Sequence, residues 1–195
     1  GNRVTSGGGN TFYNIAADPA TGGTRGQNMS IQGSSTGTSR YAWQSGGVTS
    51  GWAARDADSD QIWAVWDQYT VGSLSTNRFG LVIYDSSLSK MLGGLYVQAS
   101  TGQVYGLAYA TSGTSTGNYR FKLSEQTLSS GGTSPLANSG GWTKFAMNWN
   151  KTTGQANWYY SVDGGATYTG FYVNGAGAAA GAAARLAAIL NQKLK

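Results

Sequence analysis

Asp56, Asp58 and Asp60 alternate along Asp56-Ala57-Asp58-Ser59-Asp60, so in an extended segment all their carboxylates point to one side. Crowded carboxylates repel, and a hard cation such as calcium, which takes about 6–8 oxygen ligands, relieves that repulsion. The helix–loop–helix calcium pattern wants Gly at its sixth position and Glu at its twelfth, where Gln61 and Asp67 stand instead. The run reads first as a solvated acidic loop and second as a calcium site. No cofactor is required, and these aspartates are the only metal candidates.

The other proton-handling groups are few. The 195 residues include no Cys and no His, which excludes disulfides, thiolate chemistry, Cys/His zinc sites and every nucleophile activated by histidine. Glutamate occurs only at Glu125, so a glycosidase built on paired glutamates is excluded. A general acid–base pair would have to come from Glu125, Asp67, Asp85, Asp163 and the acidic loop, and no two of these share a strand face at a defensible spacing. No glycine string follows a strand and opens a helix as a phosphate loop does. The chain is expected not to be an enzyme.

The aromatic residues offer a different chemistry. Flat rings stack on the C–H-rich faces of sugars, and 7 Trp and 12 Tyr are present. Trp63, Trp142 and Trp149 fall within strand patterns and are expected in the core. Trp43 and Trp52 flank a loop-rich stretch, and Trp66 and Trp158 lie opposite expected core neighbours. These last four are the candidate glycan-stacking residues, and surface aromatics can equally mark a subunit contact.

Positioning these groups falls to β-strands. Apolar content is only 39% and lies in Trp, Tyr, Phe, Val and Ile, which suit half-buried pleated surfaces. Gly-Ser-Thr clusters recur at about 8–12 residues, the spacing of short strands joined by turns. Strands are predicted over residues 11–17, 27–32, 40–44, 60–71, 78–85, 91–98, 103–110, 118–124, 142–149, 155–162 and 166–173. In residues 60–71, Trp63, Val65, Tyr69 and Val71 share a face broken only by Asp67. The expected fold is an all-β, two-sheet antiparallel jelly-roll sandwich over residues 11–174, after a glycine-rich segment at 1–10.

Past residue 174 the composition turns alanine-rich, and a short C-terminal α-helix is predicted within the tail at 175–195. Leu186, Ile189, Leu190 and Leu194 fall near one face, a stripe that needs a partner surface. The partner is the domain itself, another copy of the chain, or a different protein. The net charge is +5, but the 13 basic residues are scattered singly, so no nucleic acid is expected. No apolar run is long enough to span a bilayer. The chain opens at Gly1 without Met, as a mature chain does after removal of a signal.

Ser161-Val162-Asp163-Gly164-Gly165-Ala166-Thr167-Tyr168 resembles the Asp-box, S-x-D-x-G-x-T-W, with Tyr168 at the aromatic position. Ser161, Asp163, Gly165 and Thr167 are the structural-turn residues: the carboxylate accepts turn N–H bonds while glycines take positive φ. Residues 78–85, 91–110 and especially 141–175 (GWTKFAMNWNKTTGQANWYYSVDGGATYTGFYVNG) resemble the concanavalin A-like jelly roll of laminin-G type, over roughly residues 10–175. The likeness is to secreted, surface-anchored bacterial proteins. It implies a two-sheet sandwich, carbohydrate or protein binding, and often one structural calcium. The E-x-D-x-x-E strand of the glucanase branch is absent, as are the paired catalytic glutamates of jelly-roll xylanases.

The leading expectation is therefore a non-catalytic, extracellular or cell-surface module that binds a glycan or surface polysaccharide. The alternative is a structural subunit of an extracellular filament, sheath or coat, assembled through its termini, with the C-terminal helix docking into a neighbour to form a homo-oligomer or filament. A polysaccharide-cleaving enzyme using Asp67 or Glu125 is the remote third.

Overall fold

The structure is a computed structural model that describes residues 3–6, 13–19, 23–31, 41–44, 60–71, 77–85, 87–112, 114–125, 139–161 and 163–173. It is all-β and antiparallel, with no helix among the described residues. The chain divides into two compact units, residues 1–59 and 60–195.

In the first unit, β1 (Arg3–Ser6) pairs with β4 (Tyr41–Gln44), and β2 (Tyr13–Ala17) pairs with β3 (Gln27–Ile31). Within that pairing Val4 stands opposite Trp43, and β4 supplies hydrogen-bond partners to the backbone of residues 3–6.

The second unit is one sheet of eight strands. In chain order they are β5 (Gln61–Val71), β6 (Arg78–Tyr84), β7 (Met91–Gln98), β8 (Val104–Ser112), β9 (Ser115–Glu125), β10 (Ser139–Asn150), β11 (Ala156–Ser161) and β12 (Thr169–Val173). Across the sheet they run β5-β10-β11-β12-β9-β8-β7-β6. β6 to β9 form a meander, and β10 to β12 a second run of hairpins. β12 joins the two: Thr169 and Gly170 pair with β11, while Phe171, Tyr172 and Val173 pair with β9. A strand that changes partners along its length turns a corner in a sheet.

The corner lets the sheet fold over its own apolar side. Leu95, Val97, Val104, Leu123, Phe145, Met147, Trp158, Tyr160 and Phe171 form one buried cluster drawn from both runs. Phe145, Leu95 and Met147 are 0% exposed, and burying such side chains is worth about 1.5–3 kcal/mol each. The approach is close enough to exclude a side chain at Gly106 of β8, where a Cβ would sit 2.6 Å from Cε2 of Trp158. At the two free edges, the Gln68 side chain of β5 donates Nε2–H to the Phe79 carbonyl of β6 at 3.1 Å.

The far face of β5, β10 and β11 is also partly apolar. Alternation sends Ala64, Trp66 and Gln68 inward and Trp63, Val65, Asp67 and Tyr69 outward. β10 is buried on both sides, with Phe145, Ala146, Met147 and Asn148 all nearly inaccessible.

Candidate functional site

The outward face of β5, β10 and β11 gathers aromatic rings and amides in rows set by register. Trp63 lies beside Asn148, which lies beside Asn157; Val65, Ala146 and Tyr159 form the next row, and Asp67, Lys144 and Ser161 the one after. Tyr69 and Trp142 close that end, edge to face at 5.6 Å. Trp63 and Tyr159 are tilted by 30° at 6.2 Å, and with Tyr168 they pack over the fully buried Ala146. Val65, in the middle of this face, is 42% exposed. Burial pushes the Tyr159 hydroxyl well above its ordinary pKa, so it stays protonated at any physiological pH.

The amides are oriented by one another. Gln61 Oε1 accepts from Trp63 Nε1 at 3.2 Å and from Asn148 Nδ2 at 3.1 Å. Asn157 Nδ2 donates to Asn148 Oδ1 at 3.5 Å. Among the described residues, this chain of bonds leaves Gln61 Nε2 as a donor and Asn157 Oδ1 as an acceptor with no protein partner. Beside them Lys144 Nζ meets Asp67 Oδ2 at 3.0 Å in a partly exposed ion pair, an interaction worth about 0–1 kcal/mol.

Residues 161–168 form a tightly bonded turn at the border of this face. Asp163 Oδ1 accepts from Ser161 Oγ at 2.6 Å and from the Thr167 N–H at 3.0 Å, and Asp163 Oδ2 accepts from Thr167 Oγ1. The Gly165 N–H donates to Ser161 Oγ at 2.8 Å. Gly164 and Gly165 take φ of 74° and 101°, where a side chain would strain the backbone. The Ser161 hydroxyl first, then Thr167, holds the Asp163 carboxyl far below the usual carboxylate range. Burial, then the charges of Asp67 and Asp163, raise the Tyr168 hydroxyl.

Asp85, in the turn between β6 and β7, is held down to about 2, chiefly by the Lys90 N–H and then by the Ser87 hydroxyl, with Ser89 adding to both. Asp85 and Asp163 are therefore fixed as anions, the opposite of what a general acid near neutrality requires. Asp60 accepts from Thr152 Oγ1.

The residues picked out from sequence scatter. Trp158 is a correction: it is 6% exposed in the core cluster against Phe121, because its strand parity matches Tyr160 and opposes Tyr159. Trp66 likewise packs inward on Phe145 at 5.7 Å, with Nε1 donating to Gln68 Oε1. Trp43 sits on β4, with its side chain outside the described residues, and Trp52 lies outside them altogether. Asp56, Asp58, Leu186, Ile189, Leu190 and Leu194 also lie outside. Among the described residues no cluster of carboxylates could hold a metal.

Trp63 and Trp142, expected in the core, are outward instead; Trp149 borders the core as expected. The signal was Asp67. A charge sharing the parity of Trp63, Val65 and Tyr69 marks that side as the outer one. Gln61, Asn148, Asn157 and Tyr159 carried no sequence signal, since only register brings them together, whereas Tyr168 was marked by the Asp-box pattern. Among the described residues no helix is long and apolar enough to cross a membrane. Compared with known proteins, the chain matches no family model, no curated protein and no solved structure.

Proposed function

We propose that this chain is a non-catalytic, extracellular glycan-binding module whose second unit is a jelly-roll-type sandwich, with the outer face of β5, β10 and β11 binding an uncharged polysaccharide. The observation that carries this reading is the half-buried Trp63 ring, braced from beneath by buried Tyr159 at 6.2 Å, beside an amide row with a donor and an acceptor to spare. Rings supply a flat apolar surface for the C–H face of a sugar. Oriented amides supply hydrogen bonds to its hydroxyls without needing a charge or a cofactor. Sparse charge, plentiful Gly, Thr and Tyr, and the laminin-G-type pattern of residues 141–175 support an extracellular setting.

Affinity electrophoresis of the full chain through gels containing β-glucan, xylan or soluble chitin derivatives tests it. At least one polymer is expected to retard the protein. Trp63→Ala should weaken that retardation about tenfold or more, equivalent to ~1.4 kcal/mol, with an unchanged circular dichroism spectrum. Failure of every neutral polymer to retard the wild type, or full retention by a Trp63→Ala/Gln61→Ala variant, would overturn the assignment.

A further inference from the structure

The opposite outer face, on β6 to β9, has a different character. Its outward positions follow from register: Arg78 and Gly80 on β6, Tyr96 and Gln98 on β7, Tyr105, Leu107 and Tyr109 on β8, and Asn118, Arg120 and Lys122 on β9. Arg78, Tyr109, Arg120 and Lys122 are exposed, and so is Lys90 in the adjoining turn. None of these strand positions carries Asp or Glu. Among the described residues, none of these cations is in a salt bridge; the Lys144–Asp67 pair lies on the other face. Cations that sit singly in the sequence are thus collected on one surface, with Asp85, in the same turn as Lys90, the anion beside them, its oxygens taken up by the Ser87 and Ser89 hydroxyls and the Ser89 and Lys90 N–H groups.

The cations are also held. The Arg78 guanidinium lies over Tyr96 at 5.3 Å and over Tyr105 at 5.6 Å, and these two rings are themselves 5.0 Å apart. Lys122 stands directly opposite Tyr105, and Arg120 directly opposite Leu107. Lys90 Nζ lies 5.1 Å over the Tyr109 ring. Residues two apart on a strand are roughly 7 Å apart and adjacent strands about 4.8 Å. Arg120 and Lys122 therefore fall within about one Debye length at physiological salt, and Arg78, three strands away at the backbone, extends its guanidinium over Tyr105 toward Lys122, so that their potentials add.

We propose that this face binds an acidic polysaccharide, a polymer carrying carboxylate or sulfate groups, through Arg78, Arg120, Lys122 and Lys90. Charge complementarity gives the sign of the ligand. Ring usage separates it from single-stranded nucleic acid, which needs a row of open aromatic faces for its bases: Tyr96 and Tyr105 are occupied by Arg78 and Tyr109 by Lys90, which leaves exposed Tyr84 of β6 as a lone open ring among the described residues of this face. The face also lacks the exposed aliphatic centre of a protein interface, since Leu107 is only 3% exposed. The rings steady the cations, so a bound anion has less side-chain entropy to remove. This site is independent of the neutral-glycan face and stands or falls on different residues.

The test is binding of the full chain to dextran sulfate and to polygalacturonate, with uncharged dextran and oligo(dT) as comparisons, over a series of salt concentrations. Both polyanionic sugars are expected to bind and dextran not to, with affinity falling linearly in log–log form as salt rises. Arg120→Gln/Lys122→Gln should weaken binding about tenfold or more and flatten the salt dependence by roughly one unit for each cation removed. The control Lys151→Gln, which alters an exposed cation in the β10–β11 turn of the same unit, should bind like the wild type. The proposal is overturned if neither polyanion binds, if the control weakens as much as the face variant, or if oligo(dT) binds more tightly than dextran sulfate at equal charge concentration.

Discussion

Replacing Gly106 by Ala adds one methyl group where the folded sheet leaves no room. An ideal Cβ there lies 2.6 Å from Cε2, 2.7 Å from Cδ2 and 2.9 Å from Cζ2 of Trp158. Carbon atoms rest at about 3.5–4.0 Å, so the indole must withdraw by roughly 1 Å. It cannot do so freely, because Phe121, directly opposite Gly106 in the sheet, flanks it at 6.1 Å and the cluster around it includes fully buried Leu95 and Phe145. Overpacking of this kind costs about 1–3 kcal/mol, and the stiffer unfolded chain returns about 0.4–1 kcal/mol. The net loss is about 1–2 kcal/mol, or roughly 2–8 °C in Tm for a unit of this size. Gly106 is not among the positive-φ glycines, so no backbone strain enters. Urea and thermal transitions followed by tryptophan fluorescence measure the loss. Trp158→Phe should relieve it: the smaller ring clears the methyl, and the indole N–H, which is buried without a partner among the described residues, is removed. The double variant should therefore show a coupling of about 1 kcal/mol or more. A Gly106→Ala protein as stable as the wild type, or strict additivity with Trp158→Phe, would refute the close approach of β8 to β11.

Three further outcomes are expected. Asp85, held to about 2 from an ordinary 3.8, and Asp163, held lower still, contribute stability that is present above about pH 4. That stability is lost as pH falls through the depressed folded values, so Tm should be flat from pH 5 to 7 and drop below 4, and Asp85→Asn should soften the drop. Asn118 accepts the Met91 N–H at 2.9 Å and donates to the Ser89 carbonyl at 2.8 Å, clamping β9 to the β6–β7 turn. Asn118→Ala should lower stability by about 1–3 kcal/mol in urea melts, and Asn118→Asp, which keeps the acceptor alone, by less. Finally, Trp63→Ala should abolish neutral-polymer retention while leaving dextran sulfate binding unchanged, a separation read by running both polymers on one variant.

Strand positions were largely legible. The predicted 91–98 matches β7, and most others differ from the structure by a residue or a few at the ends. Alternation and glycine-bounded segments carry that information along the chain. Which face turns inward was not legible on β5 or β10, because both sides are apolar: Ala146 and Met147 are consecutive and both fully buried. Trp63 and Trp142 were therefore assigned inward when Ala64 and Trp66 take that place. The cationic face was invisible for a related reason. Arg78 and Lys122 are far apart in the chain, and the pairing of β6 through β9 in antiparallel register is what brings them together.

β12 also bears on how this protein is made. A ribosome releases the β6–β9 meander well before residues 169–173 emerge, and until then β9 has no neighbour along its C-terminal edge. β5 must wait similarly for β10. Throughout synthesis the nascent chain carries raw, hydrogen-bond-hungry borders that invite cross-pairing with a sister polypeptide. β10 closes the border of β5 and the five residues of β12 close those of β9 and β11, so a ribosome stalled short of Thr169 would leave an aggregation seed rather than a shortened but sound domain.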